Sequence, residues 1–343
     1  MDKLGWKAIN RIGGGRFSDI YKVSKYDKSD DGTPCITENT EVFYALKLVD
    51  PDDEKPPHNI RNEIKILSDL KNSMETKTIP NVITMIGVSF NNIEYGLIFP
   101  LLDLTLSNVI KTHVKTRTFF KPDATIDTKK INTMPVSSVL NITTGIFKGL
   151  QWIHNNGIIH RDINPNNILF LKDNLETPVI IDFGIAYQQP NNNGLEKPEK
   201  KFTDIATGIY KAPEILLSKR DYSNKVDIWA VGILLTLMLS DDGTPIFDDD
   251  AAFSDLVLLS NILSTFGSPP IDWSDCKGLV SFDSMNQTFF TKQPIPLQNV
   301  IPRIYSDCDT IVKSKLQDVF TGVTKYENKD RLSANDALSI LLC

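Results

Sequence analysis

Through the first hundred residues, apolar and polar positions alternate. "WKAINRIGGG", "FSDIYKVS", "VFYALKLVD" and "YGLIFPLL" are rich in β-branched and aromatic types and read as strands. One helix interrupts them, "IRNEIKILSDL", whose Ile60, Ile64, Leu67 and Leu70 share a face at helical spacing, after a Pro56-Pro57 pair suited to a helix start. From about Thr105 the period becomes helical. "SVLNITTGIFKGLQWIHNNGI" sets Val139, Ile146, Leu150 and Ile153 on a single stripe and ends at Gly157, a residue suited to the C′ position. "KVDIWAVGILLTLML" is apolar nearly all round, which predicts a helix buried in the middle of a domain. A strand-rich part followed by a helical part is the α+β pattern of two packed subdomains. Polar segments at 24–41, 111–130 and 188–201 read as surface insertions, and there is no internal repeat.

Composition narrows the setting. With 343 residues the chain can bury one large core or two lobes. The start, "MDKLGWKAINRI", has no apolar signal region, and apolar runs such as "VGILLTLML" are too short to span a bilayer, so neither secretion nor a membrane partner is expected. Cys35, Cys276, Cys308 and Cys343 are scattered without C-x-x-C spacing, which argues for unpaired thiols in a reducing compartment, cytosol or nucleus. A net charge of −6 offers no electrostatic footprint for nucleic acid, and "KPEKK" reads as a solvated loop.

The candidate chemistry lies in three places. In "RIGGGRFSDIYKV" a glycine turn joins two strands, and Gly13 and Gly15 would let backbone approach phosphates closely; the third position of a G-x-G-x-x-G pattern is Ser18. In "YALKLV" the neighbours Ala45, Leu46, Leu48 and Val49 leave little room for a polar face, so Lys47 reads as a buried ammonium in need of an anion, with Glu63 as its natural partner. "IIHRDINPNNILF" followed by "VIIDFGIAY" supplies Asp162 and Asn164, and with them Asn167 and Asp182, hard oxygen groups of the kind magnesium takes beside phosphates.

With Ala212-Pro213-Glu214, then Asp227, Trp229 and Gly232, and finally Arg331, these motifs resemble a eukaryotic protein kinase over almost the whole length. The resemblance implies one bilobal kinase domain over 1–343, with an N-lobe of 1–100, a hinge of 101–104 and a C-lobe of 105–343. It implies ATP between the lobes, against Ile12, Gly13, Gly14, Gly15, Ile20, Ala45, Lys47, Glu63, a gatekeeper Phe99, Pro100, Leu102 and Leu169. Asp162 would be the catalytic base, with Lys47 and Asn164 completing the catalytic set, and Asn167 and Asp182 would bind Mg2+. Asn164 stands where a serine/threonine kinase carries Lys. Glu214 and Arg331 would form a buried brace in the C-lobe.

"GTPIFDDDAAFSDLVLLSNILSTFGSPPIDW" resembles the cyclin-dependent kinase branch, and "PPHN", "LIFPLL", "IIDFGIAY" and "TDIATGIYKAPE" resemble the monomeric fungal CDK-activating kinases. That likeness implies cyclin-dependent kinases as protein substrates, modified at the activation-loop Thr, by a monomer without an obligatory cyclin. Two alternatives stand beside it. A cyclin-dependent kinase needing its own cyclin is opposed by the altered "PPHNIRNE" helix; a pseudokinase scaffold fits Asn164 and Ser18 but has no need of Lys47, Glu63, Asp162, Asn167 and Asp182.

Cyclin-dependent kinases gather three arginines around a phosphothreonine. Here Arg161 is present, Asn62 replaces the helix arginine with Arg61 one place off, and Tyr187 replaces the third. Phe202 occupies the phosphothreonine position with Thr203 next to it, so the loop is expected to be ordered by apolar packing and the chain to be active as translated. Lys211 stands where proline-directed relatives carry Arg. His58 and His154 match no catalytic position.

Overall fold

The β-branched and aromatic stretches of the first hundred residues form an antiparallel sheet of six strands: β1 (Asp2–Lys3), β2 (Trp6–Gly14), β3 (Asp19–Lys25), β4 (Phe43–Val49), β5 (Gly87–Phe90) and β6 (Tyr95–Pro100). Their order is β1-β2-β3-β4-β6-β5. The structure, a computed structural model, describes residues 2–25, 27–28, 34–35, 42–73, 81–120, 125–189, 196–247, 253–285, 291–306 and 308–343. Most of the 24–41 insertion and residues 190–195 of the 188–201 insertion lie outside the described residues. Val23, Leu46, Leu48 and Ile98 form a small core within the sheet.

Helix α1 (Ile60–Asn72) packs on this sheet with Ile60, Asn62, Glu63, Ile66, Leu67 and Leu70 buried. Ile64, expected on the inward stripe, is only half-buried. The stripe is Ile60, Glu63, Leu67 and Leu70, so a charged residue sits in the middle of the buried face, and the helix is turned by its partner on β4. The helix starts at Asn59 rather than at the proline pair: the Asn59 side chain accepts from Asn62 N at 2.8 Å, and Glu54 accepts from Ile60 N at 2.9 Å.

The C-lobe is helical. Helix α2 (Leu106–His113) is followed by α3 (Val136–Asn155), α4 (Pro213–Leu216), α5 (Lys225–Met238), α6 (Asp255–Phe266), α7 (Thr310–Val323) and α8 (Ala334–Leu342). Val139, Ile146, Leu150 and Ile153 line the buried face of α3, and Gly157 follows its end at φ +70°. Every residue of α5 from Val226 to Met238 is buried, and α3, α7 and the loops of the site pack around it. Arg331 meets Glu214 through two bonds of 2.7 and 3.0 Å, both side chains fully buried.

Two polar stretches behave differently from a simple loop reading. Most of 111–130 is an antiparallel ribbon of β8 (Val114–Phe120) and β9 (Ile126–Asn132), after strand β7 (Leu104–Thr105). Both faces of the ribbon are open to solvent, so no apolar alternation marks it in the sequence. Leu104, placed in the hinge, already belongs to β7, which pairs with β11 (Ile168–Leu171); that strand pairs in turn with β12 (Asn174–Ile180). Between β9 and β11 runs β10 (Ile158–Ile159), and it pairs with β13 (Tyr187–Gln188). Among the described residues no helix is long and apolar enough to cross a membrane.

Candidate active site

The glycine turn follows from the β2–β3 register, in which Gly13 faces Ile20 and Gly14 faces Asp19, while Gly15 N donates to Ser18 O at 2.9 Å. The turn requires glycine at Gly14. Its φ is +153°, and a Cβ there would stand 2.6 Å from Ser18 O. At the tip the Phe17 ring lies 4.8 Å from His58, which ties the turn to the segment before α1. The residues expected around the adenine come from both lobes. Ile12 lies near the end of β2 with 44 % exposure, Ile20 faces Lys47 and Ala45 faces Phe99 across the sheet, Pro100 closes β6 opposite Tyr44, Leu102 comes two residues later, and Leu169 lies in β11 opposite Thr105.

Lys47 is where the two lobes meet. Its Nζ donates to both oxygens of Glu63 at 2.8 and 2.9 Å and to Asp182 Oδ1 at 2.8 Å, a residue 135 positions away. Burial by itself would lower the Lys47 pKa, but the charges of Asp182 and Glu63 outweigh it and hold the ammonium above its ordinary value. Asp182 keeps 41 % of its side chain open to the cleft. Its enclosure acts to raise it, and the charge and hydrogen bond of Lys47 bring it down to about 2. The residue adopts φ +64° and Arg161 φ +70°, two left-handed non-glycine residues flanking the same centre.

Two side chains converge on the Asp162 carboxylate. Asn167 Nδ2 donates to Asp162 Oδ2 at 2.7 Å and to its carbonyl at 2.9 Å, and the Thr207 hydroxyl donates to Asp162 Oδ1 at 2.6 Å. Both carboxylate oxygens are thereby held in one orientation. Thr207 was missed by the sequence reading, although it heads the stretch "TGIYKAPE"; the only signal was a hydroxyl five places before Ala212. Asn164, expected in the catalytic set, is buried, accepts from Asn166 N at 2.9 Å and donates to the Asp162 carbonyl at 3.2 Å. It shapes the loop and does not touch the carboxylate of Asp162.

The loop's backbone hangs on α5. The Asp227 carboxylate accepts from His160 N at 2.9 Å and Arg161 N at 2.8 Å, and His154 Nε2 lies 2.9 Å from the same group. His160 Nε2 stands 2.9 Å from Ile181 O, next to Asp182. A buried carboxylate that accepts from two backbone amides and lies against an imidazole fixes His160 and Arg161, the two residues that lead into Asp162. His154 therefore has a bracing role, and His58 abuts the glycine turn.

The donor set also fits a hard divalent cation. Asn167 spends its amide nitrogen on Asp162, which leaves the amide oxygen as its one metal-binding atom, while Asp182 meets Lys47 through Oδ1. One carboxylate and one amide oxygen are the sparse protein donors that magnesium takes when phosphates supply the rest.

Comparison with known proteins agrees with this geometry. The protein kinase domain model matches residues 6–341. The serine/threonine-protein kinase CAK1 of Saccharomyces cerevisiae is 28 % identical over 347 residues, covering 87 % of this chain and 92 % of that one. Cyclin-dependent kinase 7 of Caenorhabditis elegans is 28 % identical over 81 % of this chain and 71 % of its own. The mitogen-activated protein kinase HOG1 of Debaryomyces hansenii is 31 % identical over 57 % of this chain and 46 % of its own. The chain belongs to the protein kinase family, as a serine/threonine protein kinase of the cyclin-dependent-kinase-like branch.

Proposed function

We propose that this kinase transfers the γ-phosphoryl group of ATP, with Mg2+, to the activation-loop Thr of cyclin-dependent kinases, and that it does so as a single chain without a cyclin, in the cytosol or nucleus. The observation that carries this reading is the seating of α1 by contacts within the chain. Asn59 N donates to Gly184 O at 3.1 Å and Asn62 Nδ2 to Ala186 O at 3.0 Å, so the chain's own D-F-G segment holds the helix that brings Glu63 to Lys47. The likeness to CAK1 and cyclin-dependent kinase 7 supports the choice of substrate.

In this reading Asp162, oriented by Thr207 and Asn167, accepts the proton of the substrate hydroxyl. Lys47 bears on the phosphates, and its charge is secured by Glu63. Asn167 and Asp182 would hold the metal, whose chemistry there would be to offset charge on the transferring group. Ile12, Ala45, Phe99, Pro100, Leu102 and Leu169 enclose the adenine, while Gly13, Gly14, Gly15 and Ile20 cover the phosphates. The test is to incubate the purified chain with labelled ATP and a panel of cyclin-dependent kinases and to map the label. Label on the activation-loop Thr without any cyclin bound to the kinase is expected. Label confined to other sites, or transfer that needs a cyclin on the kinase, would overturn the reading.

A further inference from the structure

Arg161, next to the proposed base, is the one arginine that remains of the three that receive a phosphothreonine in phosphorylated relatives. It is 2 % exposed, and the structure gives it a partner within the chain. Its two terminal nitrogens donate to the two oxygens of Glu196 at 2.8 and 2.9 Å, one of them also donates to the Tyr222 hydroxyl at 3.1 Å, and Nε donates to Ile185 O. Glu196 then reaches forward. Its carboxylate accepts from the backbone N–H of Phe202 at 2.7 Å, and the Tyr222 hydroxyl donates to the Phe202 carbonyl at 2.6 Å. The next residue back, Lys201, is held through its backbone by Arg220 at 2.9 and 3.1 Å.

The expectation that Phe202 orders this loop by apolar packing is thus corrected: its main chain is gripped from both sides by polar groups. The charge count agrees. A phosphothreonine carries close to two negative charges and three acceptor oxygens, enough for several guanidinium groups, whereas one carboxylate matches one guanidinium in a two-pronged contact. The other two arginine positions are filled by residues that need no anion. Asn62 spends its amide on the Ala186 carbonyl, and the Tyr187 ring lies 5.8 Å from the Arg161 guanidinium.

We propose that Glu196 is a positioning residue that does, with a carboxylate encoded in the sequence, what a phosphothreonine does in phosphorylated relatives: it fixes Arg161, and through it Asp162 and the loop at Phe202. The proposal rests on the transfer reaction assigned above but not on its substrate. The assay therefore uses the best acceptor from a degenerate serine/threonine peptide library, and failure of the cyclin-dependent-kinase reading leaves it intact.

Glu196→Ala should lower kcat by ~10²-fold, the cost of misplacing a reacting group by about an ångström, with the KM for ATP nearly unchanged. Glu196→Gln, which keeps shape and loses charge, should fall in between, and Glu196→Asp should restore part of the loss. If Glu196 acts through Arg161, adding Glu196→Ala to Arg161→Ala should cost nothing further, since contacting residues are non-additive. Wild type treated with phosphatase, with complete dephosphorylation checked by intact mass, should keep its rate. Wild-type kcat in folded Glu196→Ala or Glu196→Gln, equal losses in the presence and absence of Arg161, or collapse after phosphatase would each overturn the proposal. Should Glu196→Ala fail to fold, Glu196→Gln decides.

Discussion

Two buried arginine–glutamate pairs with the same two-pronged geometry serve different ends of this molecule. Arg331–Glu214 joins α4 to the turn before α8 across 117 positions, and both side chains are fully buried. Arg161–Glu196 joins the catalytic loop to the activation loop across 35 positions, with 1 % and 4 % of the side chains exposed. The first touches nothing that reacts: Arg331 also donates to the carbonyls of Lys325, Tyr326 and Lys225, all of them scaffold. The second is one residue from the proposed base and one bond from the loop at Phe202. Identical pair chemistry thus braces the fold in one place and sets the geometry of the reaction in the other, and the surroundings decide which.

The largest expected effect removes chemistry and leaves both braces alone. Asp182→Asn keeps the size of the side chain but deletes the charge that Lys47 holds at 2.8 Å and the hard oxygen proposed for the metal. Transfer should fall by at least ~10³-fold, as it does for preorganised electrostatic groups, while the thermal unfolding curve stays cooperative. Transfer within tenfold of wild type would remove Asp182 from the site.

Breaking the first pair should act on stability. Glu214→Gln leaves the Arg331 guanidinium buried without its counter-ion, a change worth ~3–5 kcal/mol when one member of a buried pair is removed. Chemical denaturation should report most of that loss, and the surviving folded fraction should keep its kcat. If instead kcat fell and stability held, the division of labour between the two pairs would be wrong.

How much of this was legible in the sequence differs between the pairs for a physical reason. Glu214 and Arg331 sit in motifs that resemble kinase sequences, so their meeting could be expected although nothing local brings them together. Lys47, Glu63, Asp162, Asn167 and Asp182 were legible in the same way, and the sheet, α3 and α5 were legible from their periods. Glu196 was not: it is one acidic residue in a polar stretch read as surface, and its meaning arises only when the loop folds back on Arg161. Thr207 and Asn62 were opaque for a similar reason, because each acts by a contact with a segment distant in sequence, Thr207 with Asp162 and Asn62 with Ala186 O. The β8–β9 ribbon escaped because a strand with two wet faces has no apolar rhythm, and α1 was misread by one position because its inward stripe contains an acid.

A smaller effect sharpens the catalytic side of the comparison. Thr207→Val keeps the β-branched shape and removes the hydroxyl that donates to Asp162 Oδ1 at 2.6 Å. Asn167 still holds the other oxygen, so the carboxylate keeps one of its two side-chain restraints. A loss of ~10-fold in kcat is expected, the scale of one hydrogen bond to a charged group, with stability and the KM for ATP close to wild type. A loss as large as that of Asp182→Asn would mean that the Thr207 hydroxyl itself takes part in the reaction.

The smallest effect is expected beside the second pair, at the residue best placed to be mistaken for a phosphorylation site. Thr203 is half-buried, directly after Phe202, whose N–H is already taken by Glu196 and whose carbonyl is taken by Tyr222. A phosphate on Thr203 would bring close to two negative charges to a region where Arg161 has both terminal nitrogens on the Glu196 carboxylate, and like charges near one receptor compete. Thr203→Ala should therefore leave kcat within twofold of wild type, below the ~0.5 kcal/mol scale at which substitutions away from key contacts are felt. Thr203→Glu should be neutral or slightly inhibitory. The contrast is with Glu196→Ala, one loop turn away, where the rate should drop by ~10²-fold. If the order were reversed, with Thr203→Ala inactive and Thr203→Glu restoring the rate, the activation loop would be switched by phosphorylation and the Arg161–Glu196 pair would belong to its resting state.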